Sequence, residues 1–257
     1  MRYFISVIMG LLVGSFSNVC IVRLPKDESI CFPRSHCPRC GCPIPVLDNM
    51  PLVSFLALRG RCRSCQAPIS WQYPFVEALM AMIFVFHAWF FSGSFASLVI
   101  ADGLGFYLIC ISFIDYGNRI IPDELSLSLL GMSLLISFIN PFLSGLPSLK
   151  FLISLGSSLA GGTFMLLLAY AGEKVFKKEA LGGGDVKLIA ATGALLGWRG
   201  IAGPLLLGSF SGGLIALILL LSKKKKLGET LPFGPFLSLG AYAACLYPDF
   251  WTALVHP

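Results

Sequence analysis

Charged side chains are scarce in this chain. Only 12% of its 257 residues are charged, whereas 56% are hydrophobic and the mean hydropathy is +0.82. About a quarter of the residues of a soluble domain are charged, so this composition excludes that class and indicates an integral membrane protein. Histidine is scarcer still: His36, His87 and His256 are the only three, and none of them makes a plausible catalytic triad.

Long apolar runs predict an all-α polytopic protein with about eight transmembrane helices, because a helix of about 20 apolar residues spans a bilayer with its backbone hydrogen bonds satisfied. The first run could be a secretory signal, but it lacks a convincing cleavage site and basic residues follow it, so we interpret it as a membrane helix. The predicted spans are Tyr3–Val22, Pro74–Phe91, Phe95–Ile114, Leu125–Asn140, Phe151–Ala171, Val186–Leu196, Ile201–Leu221 and Phe233–Phe250.

Basic residues predict the orientation of these spans. With this set of helices, all of the 19 Lys and Arg except Arg2, Lys150 and Arg199 fall on one side of the membrane. The positive-inside rule makes that side cytoplasmic and leaves both termini outside. We interpret the run Lys223–Lys226 as an anchor on anionic lipid and not as a nucleic-acid-binding patch, so the bilayer is the expected partner and no nucleic acid is.

The one long polar stretch predicts a cytoplasmic subdomain between the first two spans. The expected organisation is a first transmembrane helix at 1–22, a four-cysteine subdomain at 23–73 and a transmembrane domain at 74–257. The subdomain holds two Cys-x-x-Cys pairs with 21 residues between them, and both read C-x-x-C-x-x-P-I. This spacing is typical of a zinc-ribbon-like site, here formed by Cys37, Cys40, Cys62 and Cys65.

A structural zinc ion is the favoured reading of these cysteines, because four thiolates leave no open coordination position for a substrate. A reducing cytoplasm argues against disulfides, and redox-active dithiols remain the alternative. The second pair lacks the glycine that Gly41 supplies after the first. Cys31 and Cys42 are not needed for the site, and three cysteines in apolar spans are expected to be small core residues, namely Cys20, Cys110 and Cys245.

Three acids lie near the predicted cytoplasmic ends of spans: Asp115, Asp123 and Asp185. Asp123 follows a proline and precedes a helix, which favours an N-cap role. Asp185 follows three glycines and has the same alternative. Asp115 ends about twenty apolar residues and is poorly placed for a cap, and an ionisable group there is a functional hypothesis by default.

Asp115 and Asp185 together predict an aspartic peptidase. Two close carboxylates share one proton, so that one takes a proton from water while the other donates to the substrate carbonyl. The glycines Gly182, Gly183 and Gly184 carry no side chain that would block an extended substrate backbone, and we expect them to bind it beside Asp185.

The sequence resembles the bacterial prepilin peptidases, a GxGD aspartic protease family. GSFSNVCIVRLP (Gly14–Pro25), the cysteine-rich stretch Ser35–Leu79 and GGGDVKL at Gly182–Leu188 carry the resemblance, which covers nearly the whole chain. It implies that Asp115 and Asp185 are the catalytic pair and that Lys187 is the lysine of the motif, which we expect to bind substrate together with the glycines. It also implies prepilin or pseudopilin substrates, cleavage at the cytoplasmic face of the inner membrane, and N-methylation with S-adenosylmethionine.

Residues for that second activity are weakly indicated, because the sequence holds no glycine-rich turn after a strand of the kind that binds nucleotides. Candidates from the matched stretch are Asn49, Arg59, Gly60, Arg61 and Glu77, each of which could equally serve loop packing. Two other functions remain open. A membrane scaffold that recruits partners through its zinc loop would not need the acids, and a proton-coupled transporter would place them near the bilayer midplane.

Overall fold

A computed structural model describes residues 1–177, 181–223 and 231–255. Within these ranges the chain is helical and contains no β-strand, only two isolated bridges. The helices are α1 (Arg2–Arg23), α2 (Val53–Ala57), α3 (Gln72–Phe90), α4 (Phe95–Asn118), α5 (Asp123–Ile136), α6 (Pro147–Phe176), α7 (Gly183–Leu196), α8 (Arg199–Gly203), α9 (Ser209–Leu221), α10 (Gly234–Leu246) and α11 (Pro248–Val255). The all-α prediction is confirmed.

The chain divides into two compact units, Met1–Phe106 and Tyr107–Pro257, and the division falls within α4. In the first unit α1 and α3 pack against each other as an antiparallel pair. A Cβ on Gly10 would lie 2.6 Å from the Cα of Ala81, and one on Gly14 would lie 2.7 Å from the Cα of Glu77. Small residues allow this close approach, which is how helices associate in a bilayer that offers no hydrophobic gain between them.

The connection between α1 and α3 contains two turns of the same construction. In the first, the Gly41 amide donates to the Cys37 carbonyl at 2.9 Å, and in the second the Gln66 amide donates to the Cys62 carbonyl at 3.0 Å. Gly41 has φ +72°, and Gln66 takes the same left-handed conformation at φ +57°. The second turn therefore keeps the same backbone conformation with Gln66 in place of a glycine, since a polar residue can adopt the left-handed region at a small cost in free energy.

In the second unit α7 lies at the centre and packs against α5, α6, α8 and α10. Its last carbonyls are bound by side chains from its neighbours: the Asn140 amide donates to Leu195 and the Ser154 hydroxyl to Ala194, both at 2.7 Å. The Thr192 hydroxyl of α7 itself donates to the Gly200 carbonyl at 2.7 Å. These bonds satisfy carbonyls that a helix end leaves open and so hold α7 in place, with Asp185 at its other end.

The count of eight spans is not confirmed, although each predicted span has a helix. In the part of the chain that the structure describes, five helices are long and apolar enough to cross a membrane: Arg2–Lys26, Gln72–Phe90, Phe95–Asn118, Pro147–Val175 and Arg199–Leu221. The helices α5 and α7 have 14 residues each and α10 has 13. At 1.5 Å per residue these three reach only about 20 Å, less than the hydrocarbon thickness of about 30 Å.

The predicted lysine anchor lies mostly outside the described residues. Lys223 follows α9, whereas Lys224–Lys226 fall in the range 224–230, and Lys178 of the basic set falls in the range 178–180. The predicted organisation into 1–22, 23–73 and 74–257 stays a prediction.

Candidate active site and metal centre

The two cysteine turns bring four sulfur atoms together. The Sγ atoms of Cys37, Cys40, Cys62 and Cys65 all lie within 4.8 Å of one another, and Cys37 and Cys65 are 3.8 Å apart. A Zn–S bond of about 2.3 Å places two sulfurs of a tetrahedron about 3.8 Å apart, so the donor set and its spacing fit one zinc ion. Backbone hydrogen bonds from Cys40 and Arg39 lower the pKa of the Cys37 thiol to about 6, which favours the thiolate that a metal requires.

An ion pair stabilises the second cysteine turn. Arg63 donates to both carboxylate oxygens of Asp48 at 2.6 Å, and such bidentate pairs are stronger than single hydrogen bonds. These bonds hold the pKa of Asp48 below its ordinary value. Cys31 and Cys42 stay outside the four-sulfur group, as expected from the spacing.

Asp115 lies buried in the last two turns of α4, with 6% of its surface exposed. Its Oδ2 accepts a 2.7 Å hydrogen bond from the amide of Gly234, the first residue of α10. A Cβ at Gly234 would lie 2.8 Å from that same oxygen, so only glycine fits there. The open amides and positive dipole end of α10 therefore bind and orient the Asp115 carboxylate.

Asp185 occupies the first turn of α7, where Gly182 is the N-cap residue. Its carboxylate interacts with the backbone amide of Gly182, as the third residue of a capping box does. The alternative interpretation of Asp185 as a helix-capping acid is therefore correct only in part: its carboxylate caps the Gly182 amide, but the N-cap residue is Gly182 and Asp185 is the third residue of the helix. Both carboxylates consequently lie at the positive end of a helix: Asp115, which belongs to α4, at the N-terminus of α10, and Asp185 at the N-terminus of its own helix α7.

The two carboxylates lie close enough to interact electrostatically. Asp185 is outside the five long apolar helices, and burial together with the negative charge of Asp115 raises the pKa of Asp185 to about 6. A pKa near 6 leaves Asp185 partly protonated just below neutral pH, so the pair can carry a single proton there. That is the protonation state which a water-activating pair of acids needs.

The three glycines before Asp185 have different surroundings. Gly182 and Gly183 are exposed, and a Cβ on Gly183 would meet nothing within 4 Å. A Cβ on Gly184 would lie 2.6 Å from the Cβ of Ile121, in the connection between α4 and α5. Gly184 is therefore needed for packing inside the protein, and only Gly182 and Gly183 leave room for another chain.

Asp123 is not an N-cap, and that prediction is wrong. Pro122 occupies the cap position of α5 and Asp123 is the first helical residue, with no side-chain cap bond. Its carboxylate instead pairs with Lys187 at 2.5 Å, which ties α5 to α7. Lys187, predicted to contact substrate, thus has a partner within the protein.

The weak cofactor candidates separate into two groups. Asn49, Arg59 and Arg61 are exposed, and Arg59 and Gly60 turn the chain with φ +53° and +67° into the second cysteine turn. Glu77 is different, because it is buried in α3 and its Oε2 accepts a 2.8 Å hydrogen bond from the Leu52 amide.

Gly234 was missed by the sequence analysis. The only local signal was a glycine between two apolar-flanked prolines, Pro232-Phe233-Gly234-Pro235, which reads equally well as a loop before a helix.

Two sequence families match this chain: "Bacterial Peptidase A24 N-terminal domain" over residues 8–91 and "Type IV leader peptidase family" over residues 103–217. Among similar curated proteins are three named prepilin leader peptidase/N-methyltransferase. The one from Aeromonas hydrophila is 36% identical over 94% of this chain and 89% of its own length. The one from Pseudomonas aeruginosa is 34% identical over 95% of this chain and 90% of its own length. The one from Myxococcus xanthus is 41% identical over 84% of this chain and 62% of its own length. No solved structure matches this chain.

Proposed function

Because this chain belongs to the type IV leader peptidase family, we propose that it cleaves the leader peptides of prepilins or pseudopilins and then N-methylates the new terminal residue with S-adenosylmethionine. Cleavage takes place at the cytoplasmic face of the bacterial inner membrane. The observation that carries the proposal is the pair of interacting acids, Asp115 and Asp185, each placed at the N-terminus of a helix. The family relationship does not favour a purely structural scaffold, which would leave these buried acids without a role.

The pair performs hydrolysis without a nucleophilic side chain. One carboxylate takes a proton from a water molecule while the protonated partner donates to the carbonyl oxygen of the scissile bond. The Gly234 amide fixes the direction of the Asp115 oxygens, and the bound C-terminal end of α7 fixes the position of Asp185. Because the two acids are held in place before the reaction begins, little entropy is lost in positioning them and the attacking water, and this lowers the activation barrier.

We assign the substrate backbone to the exposed side of Gly182 and Gly183. The absence of side chains there lets an extended peptide approach the Asp185 carboxylate, and the first amides of α7 are available as donors. We keep Lys187 as a residue that holds α7 to α5 through Asp123 and assign it no direct role in substrate binding.

We propose zinc as the occupant of the four-cysteine site, with a structural role. Its bonds would join the two cysteine turns and stabilise a segment that has few buried apolar residues of its own. The zinc takes no part in peptide hydrolysis.

Asparagine substitutions test the aspartic mechanism and separate it from capping. An Asn side-chain oxygen can still accept the Gly234 amide at position 115 or the Gly182 amide at position 185, whereas it cannot share the proton. We expect Asp115→Asn and Asp185→Asn each to abolish leader cleavage while the protein stays folded and inserted, measured with a prepilin in membrane fractions. The matched control is Asp123→Asn, which removes an exposed ion pair and should retain most activity. Substantial cleavage by Asp185→Asn would refute the mechanism.

A further inference from the structure

Glu77 is a buried acid that peptide cleavage does not use. It lies in the second turn of α3, within a membrane-spanning helix, with 8% of its surface exposed. It accepts the Leu52 amide at 2.8 Å, and the Ser15 hydroxyl lies near it. Among the residues that the structure describes, no Lys, Arg or His lies within ion-pair distance of it. A carboxylate buried without a cation is costly, and in a membrane helix it indicates a function.

Asn18 supplies a second, independent sign, one helical turn away from Glu77 along the α1–α3 pair. It is 1% exposed, and its Nδ2 donates to the Gly14 carbonyl at 3.3 Å and the Tyr73 carbonyl at 3.0 Å. These two carbonyls fix the orientation of the amide, because a flipped side chain would set oxygen against oxygen. The Oδ1 atom is therefore left as a buried acceptor without a donor, which native proteins rarely tolerate.

The two acceptors belong to one stretch of the helix pair. Gly14 packs on the Cα of Glu77, and Asn18, one turn further along α1, bonds to Tyr73, one turn before Glu77 on α3. Beside the Leu52 amide and the Ser15 hydroxyl, the Glu77 carboxylate can accept further hydrogen bonds, and Asn18 Oδ1 has no donor, so the stretch has acceptors to spare and can carry one negative charge. A primary ammonium, with three N–H donors and one positive charge, has the complementary chemistry.

We propose that Glu77 and Asn18 bind a primary ammonium group during methyl transfer. This inference rests on the proposed methyltransferase function. Two participants in that reaction carry such a group: the substrate, whose new N-terminus is a primary amine, and S-adenosylmethionine, which has one on its methionine part. If the group is the substrate amine, the Glu77 carboxylate can also take the proton that the ammonium nitrogen must lose. The freed lone pair then forms the N–CH3 bond as the S–CH3 bond of the sulfonium breaks, the bonding electrons stay on sulfur, and S-adenosylhomocysteine leaves.

A purely structural role for Glu77 would be to hold the loop over α3. Leu52 has φ +58°, an unusual conformation for leucine, and its amide bond to Glu77 helps to keep it there. Glu77→Gln separates the two roles, since the glutamine oxygen can still accept the Leu52 amide but the side chain carries no charge.

The test compares methylation of an already cleaved pilin by the full-length wild type, Glu77→Gln and Glu28→Gln. Glu28 is an exposed acid of the same unit and provides the matched control. We expect Glu77→Gln to lower methyl transfer about tenfold or more, as for loss of a charged hydrogen bond. Leader cleavage and zinc content should be unchanged, and Glu28→Gln should behave as wild type. Normal methylation by Glu77→Gln would overturn the proposal, whereas a wild type that does not methylate would overturn the function on which it rests.

Amine-free inhibitors identify the source of the ammonium, and their binding to the wild type tests the proposal without any variant. One is the pilin peptide without its α-amine, and the other is S-adenosylmethionine without its amino group. For the ligand whose amine is bound here, removing the amine should weaken binding to the wild type about tenfold but leave binding to Glu77→Gln nearly unchanged. If both amine-free compounds bind the wild type as tightly as their parents, no ammonium is recognised and the proposal is wrong.

Discussion

Gly183 and Gly184 are adjacent in the sequence, but they have different neighbours. Gly183 is exposed with open space where a side chain would begin, whereas the bare Cα of Gly184 packs on Ile121. Substitutions at the two positions therefore test different properties. A side chain at position 183 tests whether a substrate binds there, whereas a side chain at position 184 tests the packing of α7 against the α4–α5 connection.

We expect Gly183→Val to abolish most leader cleavage while changing the free energy of unfolding by no more than about 1 kcal/mol, because the valine would occupy the proposed path of the substrate backbone. Gly184→Val should lower stability by about 1–3 kcal/mol as well as activity, because its Cβ has no space. Thermal unfolding in detergent and a cleavage assay on the same preparations measure both effects.

Methylation of a cleaved pilin is the control for global misfolding. Gly183→Val should retain it, because Gly183 belongs to the second compact unit whereas Glu77 and the cysteine turns belong to the first. If Gly183→Val cleaves at the wild-type rate, then the glycines form only the start of a helix and no substrate passes over them.

Among single residues, the sequence singled out the two acids but not the residues that bind the acidic side chains. Asp115 and Asp185 could be singled out because charged groups beside long apolar runs are costly and rare. Gly234 could not be singled out, because its hydrogen bond to Asp115 joins residues 119 positions apart and no local sequence pattern indicates it. The cap assigned to Asp123 failed for a similar reason, since Lys187 on another helix offered it a charged partner.

Among the structural elements, the two cysteine turns were the most predictable. Their repeated pattern of cysteine, proline and isoleucine gives the same backbone bonds twice, including the 2.8 Å bonds from Ile44 to Ser35 and from Ile69 to Gly60. The sequence suggested a weaker second turn, but Gln66 adopts the left-handed conformation of Gly41 because the surrounding bonds require it. Local repetition thus indicated the element, and the two copies fold alike because they repeat the same backbone hydrogen bonds.

The cysteine turns predict a metal content that can be measured directly. Purified protein should hold about one zinc ion per chain. Cys37→Ser and Cys62→Ser should each lower that content and make residues 23–73 more sensitive to proteases, because three thiolates bind the ion less tightly than four. Elemental analysis and limited proteolysis give the two readouts.

Cys31→Ser is the matched control, since Cys31 is exposed and lies outside the four-sulfur group. It should keep the full zinc content. Wild-type protein that contains no metal and presents four reactive thiols would contradict the zinc assignment.

Over the whole molecule, hydropathy located the helices but not how many cross the membrane. The predicted spans at α7 and α10 contain apolar residues that the protein itself buries, since Leu188, Ile189 and Leu237 are fully enclosed. In α5, by contrast, Leu127, Met132 and Leu135 are exposed. An apolar run looks the same whether lipid or protein surrounds it, so composition alone could not separate the two. Two of these short helices hold the candidate acids, because α7 carries Asp185 and the first residue of α10, Gly234, binds Asp115.

The most direct test of the central claim is the mass of a prepilin after incubation with purified protein. With S-adenosylmethionine present, the wild type should release the leader and leave a mature chain that has gained one methyl group. Asp185→Asn should leave the prepilin intact, yet still add one methyl group to a pilin that was cleaved beforehand. A prepilin that loses its leader in the presence of Asp185→Asn would contradict the claim that Asp115 and Asp185 together cleave the peptide bond.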